Sequence, residues 1–258
     1  MDLFSYTFFQ HALIGSIFTC IACGIMGSYI VSRRLVFISG GITHASFGGL
    51  GMGFYLGMNP IVGALIFAVA SAFGVEWLSK KQGLREDSAI AALWALGMAL
   101  GVIFIYLTPG YTPNISGYLF GNILTITQTD LWFVGILAVV LSVAFFIYFE
   151  KILYTTFDHE FARTRKINTS LIQTLLMLGI AITIVASIRL VGIMLLMSLL
   201  TIPQMTANLF TNRLRKIIFF SILIGVFGCF IGLFFSYYLN IPSGAAIIFV
   251  QIIIFLLA

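Results

Sequence analysis

Charge is what this chain has least of. Its 258 residues include only 13 Lys and Arg and 8 Asp and Glu, 8% in all. A soluble domain normally carries roughly 25% charged residues to cover its surface. Here 61% of the residues are hydrophobic and the mean hydropathy is +1.13. Most of the surface must therefore face lipid, and the chain reads as a polytopic membrane protein. Cysteine is also sparse. Cys20 and Cys23 form a C-x-x-C, Cys229 stands far off, and all three lie inside apolar runs. Buried cysteine behaves as a small hydrophobe, and we read these so in preference to a metal or redox role. The N-terminal "MDLFSYTFFQH" lacks the basic region of a cleavable signal peptide.

Catalytic motifs are missing as well. There is no G-x-x-x-x-G-K-[ST], no G-x-S-x-G and no pair of intramembrane carboxylates. His159-Glu160 begins an H-E-x-x-H pattern, but Arg163 takes the place of its second histidine. These gaps argue against an intramembrane enzyme, and any ATP-driven work must come from a separate subunit.

What charge there is falls in short clusters. The net +5 forms no arginine-rich face of the kind that binds nucleic acid. Between the clusters lie apolar segments at about 10–32, 36–57, 60–78, 88–107, 131–150, 169–188, 190–209, 217–239 and 243–258. About 20 residues at 1.5 Å each cross a hydrocarbon core of ~30 Å. Pro203 interrupts the seventh and the ninth is short. The expectation is an all-α, polytopic integral membrane protein of eight to nine transmembrane helices, one domain over 1–258. With Arg33 and Arg34 inside, alternation puts 12 of the 13 basic residues on the cytoplasmic side and only Arg189 opposite. The N-terminus then lies outside. In the outer segment 108–130, "ISGYLFGNILTI" is too apolar for a solvated loop. A short helix lying in the interface or dipping back is expected there.

Glycine is plentiful where it should weaken a helix. "ISGGITHASFGGLGMGFYLG" (38–57) has seven glycines, no acid, no Lys and no Arg. Gly41, Ala45, Gly49, Gly53 and Gly57 recur every four residues, a small-residue stripe that admits a neighbouring helix. His44 lies beside that stripe, on a face with Gly40, Gly48, Gly51 and Tyr55. An ionisable group within a span usually faces an internal cavity. Glycines around it leave room for something to pass, and imidazole is a common transition-metal ligand. A satisfied core histidine is the competing reading.

Two cytoplasmic stretches complete the pattern. "KILYTTFDHEFARTRKIN" (151–168) alternates acid and base with an amphipathic hint at Phe157 and Phe161. In "LVGIMLLMSLLTIPQMTANLFTNRLRK" (190–216), Pro203 is expected to break the helix near the inner surface. "QMTANLFTN" would then form a short helix across the cytoplasmic face, a plausible docking knob.

Four segments together resemble the membrane permease subunits of bacterial ABC importers for zinc, manganese or iron(II). They are "LVFISGGITHASFGG" (35–49), "FDHEFAR" (157–163), "RLVGIMLLMSLLTIPQMTANL" (189–209) and "NIPSGAAIIFV" (240–250), in the family's order and over nearly the whole chain. The resemblance implies a type II-like importer permease in the bacterial plasma (inner) membrane. It implies a homodimer with the pathway between protomers, two ATPase subunits that hydrolyse ATP beneath it, and an extracytoplasmic metal-binding protein. No permanently bound cofactor is implied; the divalent metal is cargo. His44 would line the path. Pro203, Gln204, Thr206, Ala207 and Asn208 would belong to the helix that couples to the ATPase, and Phe157, Asp158 and Ala162 to the family's cytoplasmic loop motif. Gly40 stands where the family commonly has an aspartate, and Lys166 where it has glycine. A single imidazole holds a divalent ion less tightly than an Asp–His pair, which still suits transit through weak sites. The alternative is a stand-alone secondary transporter or channel. Such a protein would normally carry intramembrane acids, and only Glu76 lies near a span.

Overall fold

The computed structural model describes residues 6–109 and 126–258, and every regular element among them is helical. In order these are α1 (Thr7–Ser32), α2 (Val36–Tyr55), α3 (Pro60–Gln82), α4 (Glu86–Leu107), α5 (Gln128–Phe157), α6 (His159–Thr164), α7 (Thr169–Leu199), α8 (Ile202–Phe210), α9 (Leu214–Leu239) and α10 (Ser243–Leu257). The interfacial helix expected within 108–130 falls largely outside the described residues.

Local chemistry sets several helix starts. Asn59 accepts from the Ile61 amide with Pro60 in the first turn of α3. Thr127 and Asp130 close a capping box at α5, and the Asn168 side chain accepts from Leu171 N at α7.

Six described stretches are long and apolar enough to cross a membrane: α1, Pro60–Ser79, α4, α5, Thr169–Phe210 and α9. Helix α2 has sufficient length at 20 residues, and α10 is a shorter apolar helix of 15. Thr169–Phe210 is a run of 42 residues that the backbone divides into two legs. The sequence suggested a turn at Arg189, but helical geometry continues past it and breaks at Gly192 (φ 77°, ψ 165°). That backbone region is essentially open to glycine alone. Leu190, just before the break, lies opposite Gly15 of α1, and beyond the break the Leu200 carbonyl lies opposite Gly27. The chain therefore returns along α1 toward the end of that helix at Ser32. Counting these two legs, α2 and α10 recovers the nine apolar segments.

The contacts of the described residues gather into two compact units. One comprises residues 6–34, 126–174 and 186–258, the other 35–109 and 175–185.

In the second unit, α2 is buried on nearly every face. Its hydroxyls bond back into their own helix, Ser39 to Val36 O, Thr43 to Ser39 O and Ser46 to Ile42 O, so none of the three needs water. The buried face of α3 is Ala64, Ala68, Ala72 and Val75.

In the first unit, α1 is the central helix, buried almost continuously from Thr19 to Ile30. Two basic side chains contact the C-terminal half of α5. Arg33 donates to Thr156 O at 3.3 Å, and the Arg215 guanidinium sits 4.4 Å from the Phe149 ring centre.

Candidate translocation and coupling sites

The glycines of α2 act in two directions. Gly49 abuts the Gly63 backbone and Gly53 the Pro60 backbone, both on α3. Gly41 lies against Ile90, and Ala45 against Gly97, both on α4. Gly57 does not belong to this packing. It follows the end of α2 with φ +66°, and a side chain there would meet nothing within 4 Å. It is a turn residue.

The face around His44 is also filled. A Cβ at Gly48 would stand 2.7 Å from Gly97 O, and one at Gly51 2.6 Å from Gly101 O. Tyr55 meets Phe104, with ring centres 5.7 Å apart. The expectation of open space beside these glycines is therefore corrected: lacking Cβ atoms, they let the α4 backbone close onto α2. His44 itself is half-buried and stacks on Trp94 of α4, with 4.3 Å between ring centres and 9° between planes. Its Nδ1 is buried and has no hydrogen-bond partner among the described residues. Trp94 was missed by sequence reasoning, because nothing in the spacing of α4 marks which helix it faces. Among the described residues no group of three or more His, Cys, Asp or Glu could hold a metal ion.

Helix α8 departs further from expectation. The helix breaks at Leu200–Thr201, and Pro203 sits in the first turn of α8, where its missing N–H does no harm. The residues expected to dock on a partner are mostly buried: Pro203, Gln204, Thr206 and Ala207 all face inward. Of the five, only Asn208 is exposed, alongside Met205, Leu209 and Phe210. The segment recognised in sequence is the anchor of the helix, and its outward face lies on the residues between and after. Gln204 is fully buried and donates through Nε2 to Cys23 O and to Leu199 O, each at 2.9 Å.

The cytoplasmic loop motif also resolves into local structure. Asp158 caps α6 by accepting from Phe161 N at 2.8 Å. Ala162 is fully buried and Phe157 is exposed. Lys166 adopts φ +55°, a left-handed conformation that explains glycine at this position in the resembling family. The cysteines lie in the first unit as buried free thiols, Cys20 and Cys229 with sulfurs 3.6 Å apart.

Long apolar helices with glycine-mediated contacts, one of them broken, and a short amphipathic helix make this a polytopic membrane protein. The chain belongs to the ABC 3 transport family, whose model matches residues 5–258. It is 34% identical over 256 residues to the manganese transport system membrane protein MntC of Listeria monocytogenes, covering 99% of this chain and 91% of that one. It is 37% identical to an uncharacterised membrane protein of Synechocystis, covering 98% and 90%. The structure of PsaBC from Streptococcus pneumoniae in complex with Fab superposes with a TM-score of 0.88 at 29% identity, covering 99% of this chain and 92% of that one.

Proposed function

We propose that the chain is the permease subunit of an ATP-driven importer that carries a divalent transition metal into the cytoplasm, manganese foremost. The observation that carries this reading is likeness along nearly the full length to a manganese transport membrane protein, at 34% identity. In this reading two copies form the pathway, an ATPase subunit binds on the cytoplasmic side, and an extracytoplasmic binding protein delivers the ion at the bacterial inner membrane. Zinc and iron(II) are the competing cargoes. His44 is the weak contact along the path. Its orphaned Nδ1 supports this role, since an uncommitted imidazole nitrogen is a ligand for a passing cation. Met205, Asn208, Leu209 and Phe210 form the coupling face, held in place by the buried Pro203, Gln204, Thr206 and Ala207.

The test is uptake of radiolabelled manganese, zinc and iron(II) by vesicles containing the reconstituted complex, native against His44→Ala. Uptake of the true cargo falls in the variant. Unchanged uptake of all three ions would remove His44 from the mechanism.

A further inference from the structure

The break between α7 and α8 leaves carbonyl groups at the end of α7 without intrahelical partners, on residues buried from solvent. One is Leu199 O, and the Gln204 side chain supplies its donor at 2.9 Å. The same Nε2 donates to Cys23 O of α1, also at 2.9 Å. Both partners are carbonyl oxygens, so the amide orientation is decided by its surroundings: the NH₂ faces them and Oε1 points away, unpartnered and buried. The contact requires glycine on α1. A Cβ at Gly27 would come within 2.5 Å of Nε2 and 2.5 Å of Leu200 O. Cys23 precedes the last residue of α1, Ser32, by nine positions, about 13 Å of helix. The bond therefore grips α1 well inside its span.

We propose that Gln204 is a latch by which α8 moves α1, a positioning residue for transport that conveys displacement of the exposed α8 face into the membrane interior. This rests on the ATP-driven permease reading. Two features set the amide apart from ordinary packing. It closes the helix break and ties that break to another helix with one group, and it does so with a fully buried side chain. Displacing α8 without α1 would strip the buried amide of its bond to Cys23 O and leave that N–H unsatisfied, a cost avoided when the two helices move together.

The experiment uses the complete complex, permease with its ATPase subunit and binding protein, in vesicles, and reads manganese(II) ions imported per ATP hydrolysed. Gln204→Met keeps the length and removes both donors. Gly27→Ala leaves the glutamine and wedges it off α1. The latch predicts that imported ions per ATP fall about five- to tenfold in each variant, the weight of two intramembrane hydrogen bonds, while ATP hydrolysis continues. Gln204→Glu, which keeps one donor when protonated, falls between and serves if the methionine variant does not assemble. An unchanged ratio in assembled variants, beside a coupled native complex, overturns the latch and leaves the permease reading standing. A native complex with no ATP-coupled manganese uptake overturns both.

Discussion

Arg189 on α7 and Asp130 at the start of α5 form an ion pair of 3.1 Å. Asp130 also accepts from the Thr127 backbone amide and hydroxyl, so one carboxylate caps α5 and holds the end of the first leg of α7. This accounts for a basic residue set apart from the other twelve. Asp130→Ala removes cap and pair together and is expected to destabilise the detergent-solubilised chain by about 1–2 kcal/mol, read from thermal unfolding. Arg189→Gln, which leaves the cap, should lose about half of that or less.

Gly192 stands where α7 reverses, in a conformation that side chains do not tolerate. Gly192→Ala should cost about 1–3 kcal/mol and lower the yield of folded chain on size-exclusion chromatography. Gly57→Ala offers a comparison: its strain is of the left-handed kind alone, and no neighbour stands in the way.

Lys166 offers the reverse. Its left-handed backbone follows the short helix α6, and its amide donates to Arg163 O. Lys166→Gly relieves the steric strain and adds unfolded-state freedom; the net expectation is a gain of about 0.5–1 kcal/mol, seen as a raised midpoint of unfolding. A lowered midpoint would show that the lysine side chain has a stabilising partner in the assembled complex.

The two faces of α8 separate folding from docking. Ala207 is fully buried, while Leu209 and Phe210 are about 60% exposed. Ala207→Asp should abolish recovery of folded permease. Leu209→Asp should leave the permease intact and weaken co-purification of the ATPase subunit about tenfold. Equal recovery of that subunit with the native chain and Leu209→Asp would move the docking site elsewhere.

Much of this architecture was legible before any coordinates. Apolar runs of sufficient length marked the crossings, and the small residues of 38–57 marked a closely packed helix. What stayed hidden was which helix covers which face. In a soluble protein an apolar face points to the core; in lipid the core and the outer surface are equally apolar, so periodicity does not separate them. Trp94 against His44 and Gln204 against Cys23 O are pairings of that hidden kind. The apolar segments divide at Arg189, whereas the backbone turns at the nearby Gly192, where glycine supplies the φ/ψ freedom. The proline was a sound guide: lacking an N–H it cannot bond Leu199 O, the last residue of α7, and it sits in the first turn of α8.

Energy coupling is the claim on which the rest depends, and vesicle uptake tests it most directly. Manganese(II) accumulation is measured with the permease alone, and with permease, ATPase subunit and binding protein together, with and without ATP. The account predicts accumulation only in the complete system with ATP. Manganese accumulation by the permease alone, at a rate indifferent to ATP, would contradict it.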